Sequence, residues 1–417
     1  MRCLQPSLFL CLFMRGLFIA GTSLGDEKFA AEVRVEAAGA PIDVAGFRGA
    51  APFVGDFDGD GLNDLLVGQD EMGLDGQDEL GRLRIYRNVG SRKEPRFEDF
   101  EWFLVNGKVA EIPGEGRFRP QLADLDGDGK LDMVTSLWSG IILWYRRLAG
   151  GEFANAEIVR LANGQVLNAG TDARCHVVDW DGDGDNDLII LGQPKPDARS
   201  AEVCFVENRG PPPALALAQP IPLEVDGKPI EVPQTACPFV ADWNRDGKLD
   251  LLLGMQDGSI RLYENSGDKR APRLAPARML VEPAPRRRGA PDADVQRSGT
   301  GGSFCLTDWD NDGTLDVLMG DAQSVTVQPD PSETQDQLQE ARREAAEVLS
   351  QYRRLRGMKN RLRETQETQR EFVQQKREQF ARRLAEIHDT IARLETAAKP
   401  RQELHGYVWL LKGMNPE

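Results

Sequence analysis

Five stretches of this chain carry carboxylates at a spacing that suits a hard cation. The pattern D-x-[DN]-x-D-G-x-x-D begins at Asp56, Asp124, Asp179, Asp242 and Asp308. Calcium takes about six to eight oxygen ligands. Acid side chains at positions 1, 3, 5 and 9, with the main-chain carbonyl of position 7, supply most of these from one short loop. The candidate ligands are Asp56, Asp58, Asp60, Leu62 and Asp64 in the first loop, and Asp124, Asp126, Asp128, Lys130 and Asp132 in the second. The third offers Asp179, Asp181, Asp183, Asp185 and Asp187, and the fourth Asp242, Asn244, Asp246, Lys248 and Asp250. Asp308, Asp310, Asp312, Thr314 and Asp316 form the fifth. Leu62, Lys130, Asp185, Lys248 and Thr314 are the position-7 residues and act through their carbonyls.

Glycine at position 6 (Gly61, Gly129, Gly184, Gly247, Gly313) permits the bend that folds such a loop around an ion. Clustered carboxylates repel one another without a cation, so metal binding is expected to be coupled to folding. A single Asp-Gly turn is better read as a solvated acidic turn; a nine-residue pattern repeated five times is not. The fourth loop has Asn244 at position 3 followed by Arg245, and is expected to be the weakest site. An EF-hand shares positions 1, 3, 5 and 6 but needs Glu at position 12. Position 12 here is Val67, Thr135, Ile190, Leu253 or Met319, which excludes it.

The loops recur at intervals of 68, 55, 63 and 66 residues, about the length of a four-stranded propeller blade. Each is followed by a short apolar run that reads as a buried strand, such as Leu65-Leu66-Val67 and Leu251-Leu252-Leu253. An alternating segment follows, as in Gly81–Asn88 and Gly258–Asn265, and then a fourth element, as in Phe103–Pro113, Ile158–Asn168 and Leu223–Pro233. Two elements have no partner nearby. Val33–Val44 resembles a fourth strand that precedes any first one, and the last repeat lacks a third strand until Gly406–Lys412. Pairing them closes a ring and hides both edges. The expected fold is all-β, a five-bladed β-propeller closed by an N-terminal strand.

Between the second and third strands of the last blade lies Pro331–Lys399, with Gly357 as its one glycine and no internal proline. Its apolar residues recur at heptad-like spacing (Val373, Phe380, Ile387, Leu394, with Leu384 and Ile391), and both ends return to neighbouring strands. It reads as an α-helical hairpin, coiled-coil-like, opened by a Ser332/Gln335 capping box and turning between Arg356 and Arg370. With 12 acids and 15 bases it carries about +3, unlike its acidic host. A partner helix or self-association through 331–400 is a possible use. The domain boundaries read from the sequence are 1–25 signal peptide, 26–330 propeller blades, 331–400 hairpin and 401–417 final strand.

A net charge of -16 and a pI near 4.9 argue against nucleic acid or anionic membrane as the partner. The apolar run Leu8–Met14, Leu17–Ala20 and the small residues after it resemble a secretory signal, although Arg15 interrupts them, so export to the periplasm, cell surface or medium is expected. No segment is long enough to span a bilayer. Cys175, Cys204, Cys237 and Cys305 match no zinc or redox spacing and read as buried free thiols, with a disulfide open in an oxidising compartment.

The five Asp loops, each with its apolar strand, resemble the FG-GAP/VCBS repeats of integrin α-chain propellers and of many exported bacterial proteins, over about Val33–Asp321 and the last dozen residues. The resemblance implies a propeller with up to five calcium ions in the loops between first and second strands, often serving adhesion, carbohydrate binding or protein recognition. The hairpin is outside that pattern. The function expected is therefore a binding scaffold for protein or carbohydrate. Arg119 and Arg174, each five residues before a loop, and Trp138, beside a tight turn, are candidate ligand-binding residues, against the plain reading of surface and packing residues. The alternative is a polysaccharide hydrolase or lyase. No serine-elbow or zincin motif supports it, and an acid pair would have to come from Asp70, Glu71, Asp75, Asp78 and Glu79.

Overall fold

The computed structural model describes residues 28–414 except 45–48, 73–78, 114–117, 171–173, 193–199, 212, 234, 285–287, 291–296, 298–302, 328–330, 360–366 and 398–400. The segment read as a secretory signal and much of the acidic stretch from Asp70 to Glu79 therefore lie outside the described residues. The chain divides into two compact units. One comprises Met1–Arg286, Arg297–Ala322 and Gly406–Glu417, and the other Arg287–Gln296 and Gln323–His405.

The first unit is a five-bladed β-propeller, each blade an antiparallel sheet built outward from a short first strand. Those first strands are Ala51–Gly55, Gln121–Ala123, Cys175–Val178, Cys237–Ala241 and Ser303–Thr307. The second strands are Asp64–Met72, Asp132–Ser136, Asp187–Gly192, Asp250–Gly254 and Asp316–Gly320. They are unbroken apolar runs because both faces of a blade are covered. Leu65, Leu66 and Val67, like Leu251, Leu252 and Leu253, have no exposed surface. The core sits between successive blades: Val134 and Trp144 of blade 2 share a cluster with Val177, Leu188 and Ile190 of blade 3. Burying a side chain of this kind contributes about 1.5–3 kcal/mol.

Ring closure follows the sequence expectation. Val408–Leu411 pairs with Asp316–Gly320 on one side, and on the other with Val33–Arg34, where Val33 lies opposite Leu410 and Arg34 opposite Trp409. A second pairing, Lys28–Phe29 with Gly413–Met414, extends the same joint. No blade is left with an open N-terminal or C-terminal edge at this point, which is how a propeller avoids edge-to-edge association.

The fourth element differs from expectation. It is not one strand but a strand followed by a small hairpin, turning at Asn106-Gly107 (φ 52° and 72°) and Asp226-Gly227 (φ 51° and 74°), the geometry of a two-residue hairpin turn. Its returning arm pairs with the third strand again, through Ile112–Pro113 in blade 1 and Glu231–Pro233 in blade 3. The orphan N-terminal segment repeats the device at Ala38-Gly39.

In the second unit, α1 (Pro331–Lys359) and α2 (Glu367–Ala397) pair as a hairpin, and the connection at 360–366, inside the predicted window, lies outside the described residues. Ala341, Val348 and Ile387 form its buried seam, flanked by Phe380, Leu384, Ile391 and Leu394. The predicted stripe is thus the hairpin's own seam, tied outside by Arg342–Glu395 (2.7 Å) and Arg383–Glu344 (2.8 Å). The helix starts earlier than a Ser332 cap requires. The helix already begins at Pro331, which favours the first turn, so Ser332 is inside it. The sequence reading also missed a strand pair, Gln323–Val327 with Arg401–His405.

Candidate metal centres

Each Asp loop is shaped by its own carboxylates before any ion is considered. The position-6 glycine has φ between 82° and 105° in all five loops, and its N–H donates to Oδ2 of the position-1 Asp at 2.8–3.2 Å. Position 5 accepts from the N–H of position 7, for example Leu62 to Asp60 at 2.7 Å and Thr314 to Asp312 at 2.6 Å. Position 4 is left-handed as well: Gly59, Gly127 and Gly182 fill it in three loops, Arg245 (φ 60°) and Asn311 (φ 52°) in the others. The sequence reading saw the need for glycine at position 6 and missed it at position 4.

Position 9 carries the most structural weight. Asp64, Asp132, Asp187, Asp250 and Asp316 are each at most 2 % exposed. In every loop one oxygen accepts the N–H of position 2, from Phe57, Leu125, Trp180, Trp243 or Trp309, at 2.8–3.4 Å. The other accepts an N–H at the end of the third strand, from Asn88, Arg147, Asn208, Asn265 or Gly413, at 2.7–2.9 Å. This carboxylate fastens the loop to its blade. Burial pushes Asp132 and Asp316 up to about 6 and Asp187 to about 7, and raises Asp64 and Asp250, against the lowering effect of those N–H donors.

The Asn residues that meet position 9 were not singled out from sequence. Asn88, Asn208 and Asn265 are buried, and the Oδ1 of each accepts two further N–H groups: from Gly90 and Arg96, Gly210 and Ala216, Gly267 and Arg273. A Cβ on Gly210 would come within 1.8 Å of the Ala214 carbonyl, so the chain can approach here only without a side chain. The recurring Asn-x-Gly at 88–90, 208–210 and 265–267 was the available signal.

The structure brings positions 1, 3 and 9 together. Asp56, Asp58 and Asp64 each offer an oxygen within 4.8 Å of the others, as do Asp124, Asp126 and Asp132; Asp179, Asp181 and Asp187; and Asp308, Asp310 and Asp316. The position-5 residues Asp60, Asp128, Asp183 and Asp312 are not in those trios. In the fourth loop Asn244 leaves Asp242 and Asp250 as the acids at these three positions. The donors are all oxygen, as a hard cation requires. Two of them, Asp242 Oδ1 and Asp310 Oδ1, are buried and accept no hydrogen bond, a state that costs about 1–3 kcal/mol for a neutral group and more for a charged one unless something positive meets it. Protein cations instead stand on the position-3 acid in three loops, each at Oδ2. Arg87 lies 2.8 Å from Asp58, Arg146 3.2 Å from Asp126 and Lys412 2.8 Å from Asp310. At position 7, Lys130 pairs with Asp128, and Lys248 with Asp246 at 2.9 Å. The clusters can therefore hold a metal ion, and the residues present fit one.

Arg119 and Arg174 both line a small cavity at the propeller axis; Trp138 is not on that lining and stands 45 % exposed in its turn. Cys175, Cys204, Cys237 and Cys305 are free, and all but the half-buried Cys237 are buried. Of the acids considered for polysaccharide chemistry, Asp75 and Asp78 lie outside the described residues. No described helix is long and apolar enough to cross a membrane.

A family model described as an FG-GAP-like repeat matches residues 56–135, 124–190 and 242–319, together more than half of the chain. No match was found among curated proteins. Among solved structures, a periplasmic gluconolactonase of Pseudomonas aeruginosa is similar at 15% identity over 65% of this chain and 91% of its own, with a TM-score of 0.27, too low to carry an argument.

Proposed function

We propose, from the premise that this chain belongs to the FG-GAP-like repeat family, that it is an exported calcium-binding propeller that works as a scaffold for a protein or carbohydrate partner. The observation that carries the metal half of this reading is the convergence of three carboxylate oxygens within 4.8 Å in four separate loops. Calcium would be held by the acids at positions 1, 3 and 9, with position 5 and the position-7 carbonyl closing the set. It would supply the positive charge that these crowded acids otherwise take from hydrogen bonds and neighbouring cations. The ions serve structure rather than chemistry, because each loop joins the first two strands of its blade and its position-9 acid already anchors the third.

Scaffolding fits a fold whose ring is closed and whose loops vary in length from blade to blade. The hairpin of α1 and α2, with Phe372 59 % exposed, offers a surface for a partner helix or a second copy. Export rests on the apolar N-terminal run and is checked by the mass of the mature chain, expected to begin near residue 26. The calcium reading is tested by counting metal in the purified chain and following thermal unfolding with calcium and with excess chelator. Four to five ions per chain and a large drop in unfolding temperature on chelation are expected. No bound metal and no shift would sink it.

A further inference from the structure

Neighbouring Asp loops are tied to one another through main-chain carbonyls. Asn186, at position 8 of loop 3, donates from Nδ2 to the carbonyl of Asp124, position 1 of loop 2, at 2.7 Å. The peptide that follows Asp124 is thus held on both sides, because the N–H of Leu125 donates to Asp132 within loop 2 at 3.4 Å. Arg147 makes the next tie. Its Nε donates to the Leu131 carbonyl of loop 2 at 2.7 Å, and its Nη2 to the Phe57 carbonyl of loop 1 at 2.8 Å. A guanidinium is planar and rigid, so these two donors hold the two loops at a fixed spacing. Both ties run from candidate ligands of one loop to candidate ligands of the next. Asn186 stands between Asp185 and Asp187, and Phe57 between Asp56 and Asp58. The Arg147 N–H is itself on Asp132 Oδ1 at 2.7 Å. Loops 4 and 5 have Leu249 and Leu315 at position 8, which carry no side-chain donor.

We infer that loops 1, 2 and 3 bind calcium as a coupled block, with Asn186 and Arg147 as the positioning residues that transmit the effect. The inference rests on the calcium reading proposed above. Ordering the acids of loop 3 around an ion fixes the 185–187 segment and with it Asn186, which fixes the peptide after the first ligand of loop 2. Arg147 passes the same ordering from Asp132 to the segment between Asp56 and Asp58. A loop already ordered by its neighbour gives up less conformational freedom when its own ion arrives, and this makes binding cooperative. Linkage makes the effect reciprocal: an ion in loop 2 favours one in loop 3 by the same factor.

Calcium titration of the full chain, by competition with a fluorescent chelator, tests the coupling. Emptying loop 3 with Asp179→Asn and Asp181→Asn should remove one ion and also weaken a remaining one about fivefold, the worth of one net hydrogen bond. Asn186→Leu, which copies loops 4 and 5, should keep the ion count and weaken binding by a similar factor. Combined with the emptied loop 3 it should weaken the remaining ions no further, because the tie that it cuts is then idle. Arg147→Lys keeps the charge but reaches one carbonyl at most, and should act in the same way between loops 1 and 2. An emptied loop 3 that costs one ion and leaves the other affinities unchanged overturns the coupling, as does a strictly additive effect of Asn186→Leu. Either result leaves the calcium reading standing, whereas a wild-type chain that binds no calcium overturns that reading and the coupling together. Should Arg147→Lys not fold, the half-buried Asn186 decides alone.

Discussion

Loops 1, 2 and 5 and loops 3 and 4 share one nine-residue motif and differ in the residue that faces it from the third strand. In each blade this residue directly precedes the one whose N–H anchors position 9. It is Arg87, Arg146 and Lys412 in the first group, each on the position-3 carboxylate at 2.8–3.2 Å. It is Glu207 and Glu264 in the second, and these turn to Arg209 (2.5 Å) and Arg278 (3.1 Å). Glu207 even adds to the repulsion that raises the Asp181 carboxyl, after burial and Asp183. The first group thus carries a counter-ion that a metal must displace or share, whereas loop 3 has its full set of acids and, among the described residues, no such cation from its third strand. Loop 3 is therefore the site expected to bind calcium most tightly, and loop 4, with Asn244, has neither the acids of loop 3 nor the cation of the others.

The largest effect should come where the two groups do not differ. Asp187→Ala removes the acceptor of the Trp180 and Asn208 N–H groups, both in buried surroundings, as well as a metal ligand. Each orphaned donor costs about 1–3 kcal/mol, so a loss of about 3 kcal/mol is expected even in chelator, measured by urea unfolding. Asp64→Ala should behave alike. If Asp187→Ala were harmless without calcium, position 9 would be a ligand and not a fastening.

Next in size is the response to pH, which separates metal-free from metal-loaded protein. The folded chain holds Asp132 and Asp316 at about 6 and Asp187 at about 7, above the ordinary 3.8, because burial penalises the charge. Folded protein thus binds more protons than unfolded between about pH 4 and 7, and metal-free stability must fall as pH rises through that window. Calcium needs the ionised acids, so its stabilisation grows over the same range. Unfolding temperatures in chelator should be higher at pH 5.5 than at 7.5, and the order should reverse with calcium. A chelated protein that gains stability towards pH 7.5 would contradict the buried-acid account.

Exchanging the facing residue acts directly on the comparison. Arg146→Gln should cost at most about 1 kcal/mol in chelator, as for a partly exposed pair. It should raise calcium affinity at loop 2 several-fold, read by competition with a fluorescent chelator. Glu207→Arg should do the reverse at loop 3. Equal affinities after both exchanges would mean that the motif alone sets binding.

Much of this architecture was legible in the sequence because it repeats. The Asp motif marked five blades, the orphan Val33 segment and the Gly406 segment found each other by resemblance to internal copies, and the heptad stripe through Phe380 and Ile387 marked the hairpin. What stayed hidden is what only non-local pairing creates. Lys412 meets Asp310 from 102 residues away, and the pairing of Gln323–Val327 with Arg401–His405 spans the whole hairpin. The axial cavity lay half in view: Arg119 and Arg174 were singled out five residues before their loops, but Ser303 and the rings of Phe53, Phe239 and Phe304 beside them come from three other blades.

Position 4 gives the smallest and sharpest test, because there the loops differ only in backbone cost. Glycine accepts φ near +70° freely, asparagine tolerates it, and arginine carries a Cβ penalty of about 1–2 kcal/mol with no side-chain oxygen to offset it. Arg245, at φ 60°, is the outlier among five loops. Arg245→Asn copies loop 5, keeps the unfolded chain nearly as restricted, and should stabilise by about half a kcal/mol in chelator. Arg245→Gly should gain no more, since glycine gives part of the relief back as unfolded-state entropy. The guanidinium of Arg245 also reaches within 3.9 Å of where a Cβ on Gly313 would stand, beside loop 5. A loss of stability in both variants would therefore show that Arg245 is kept as a cation serving the neighbouring loop, extending to loop 5 the counter-ion logic already supplied there by Lys412.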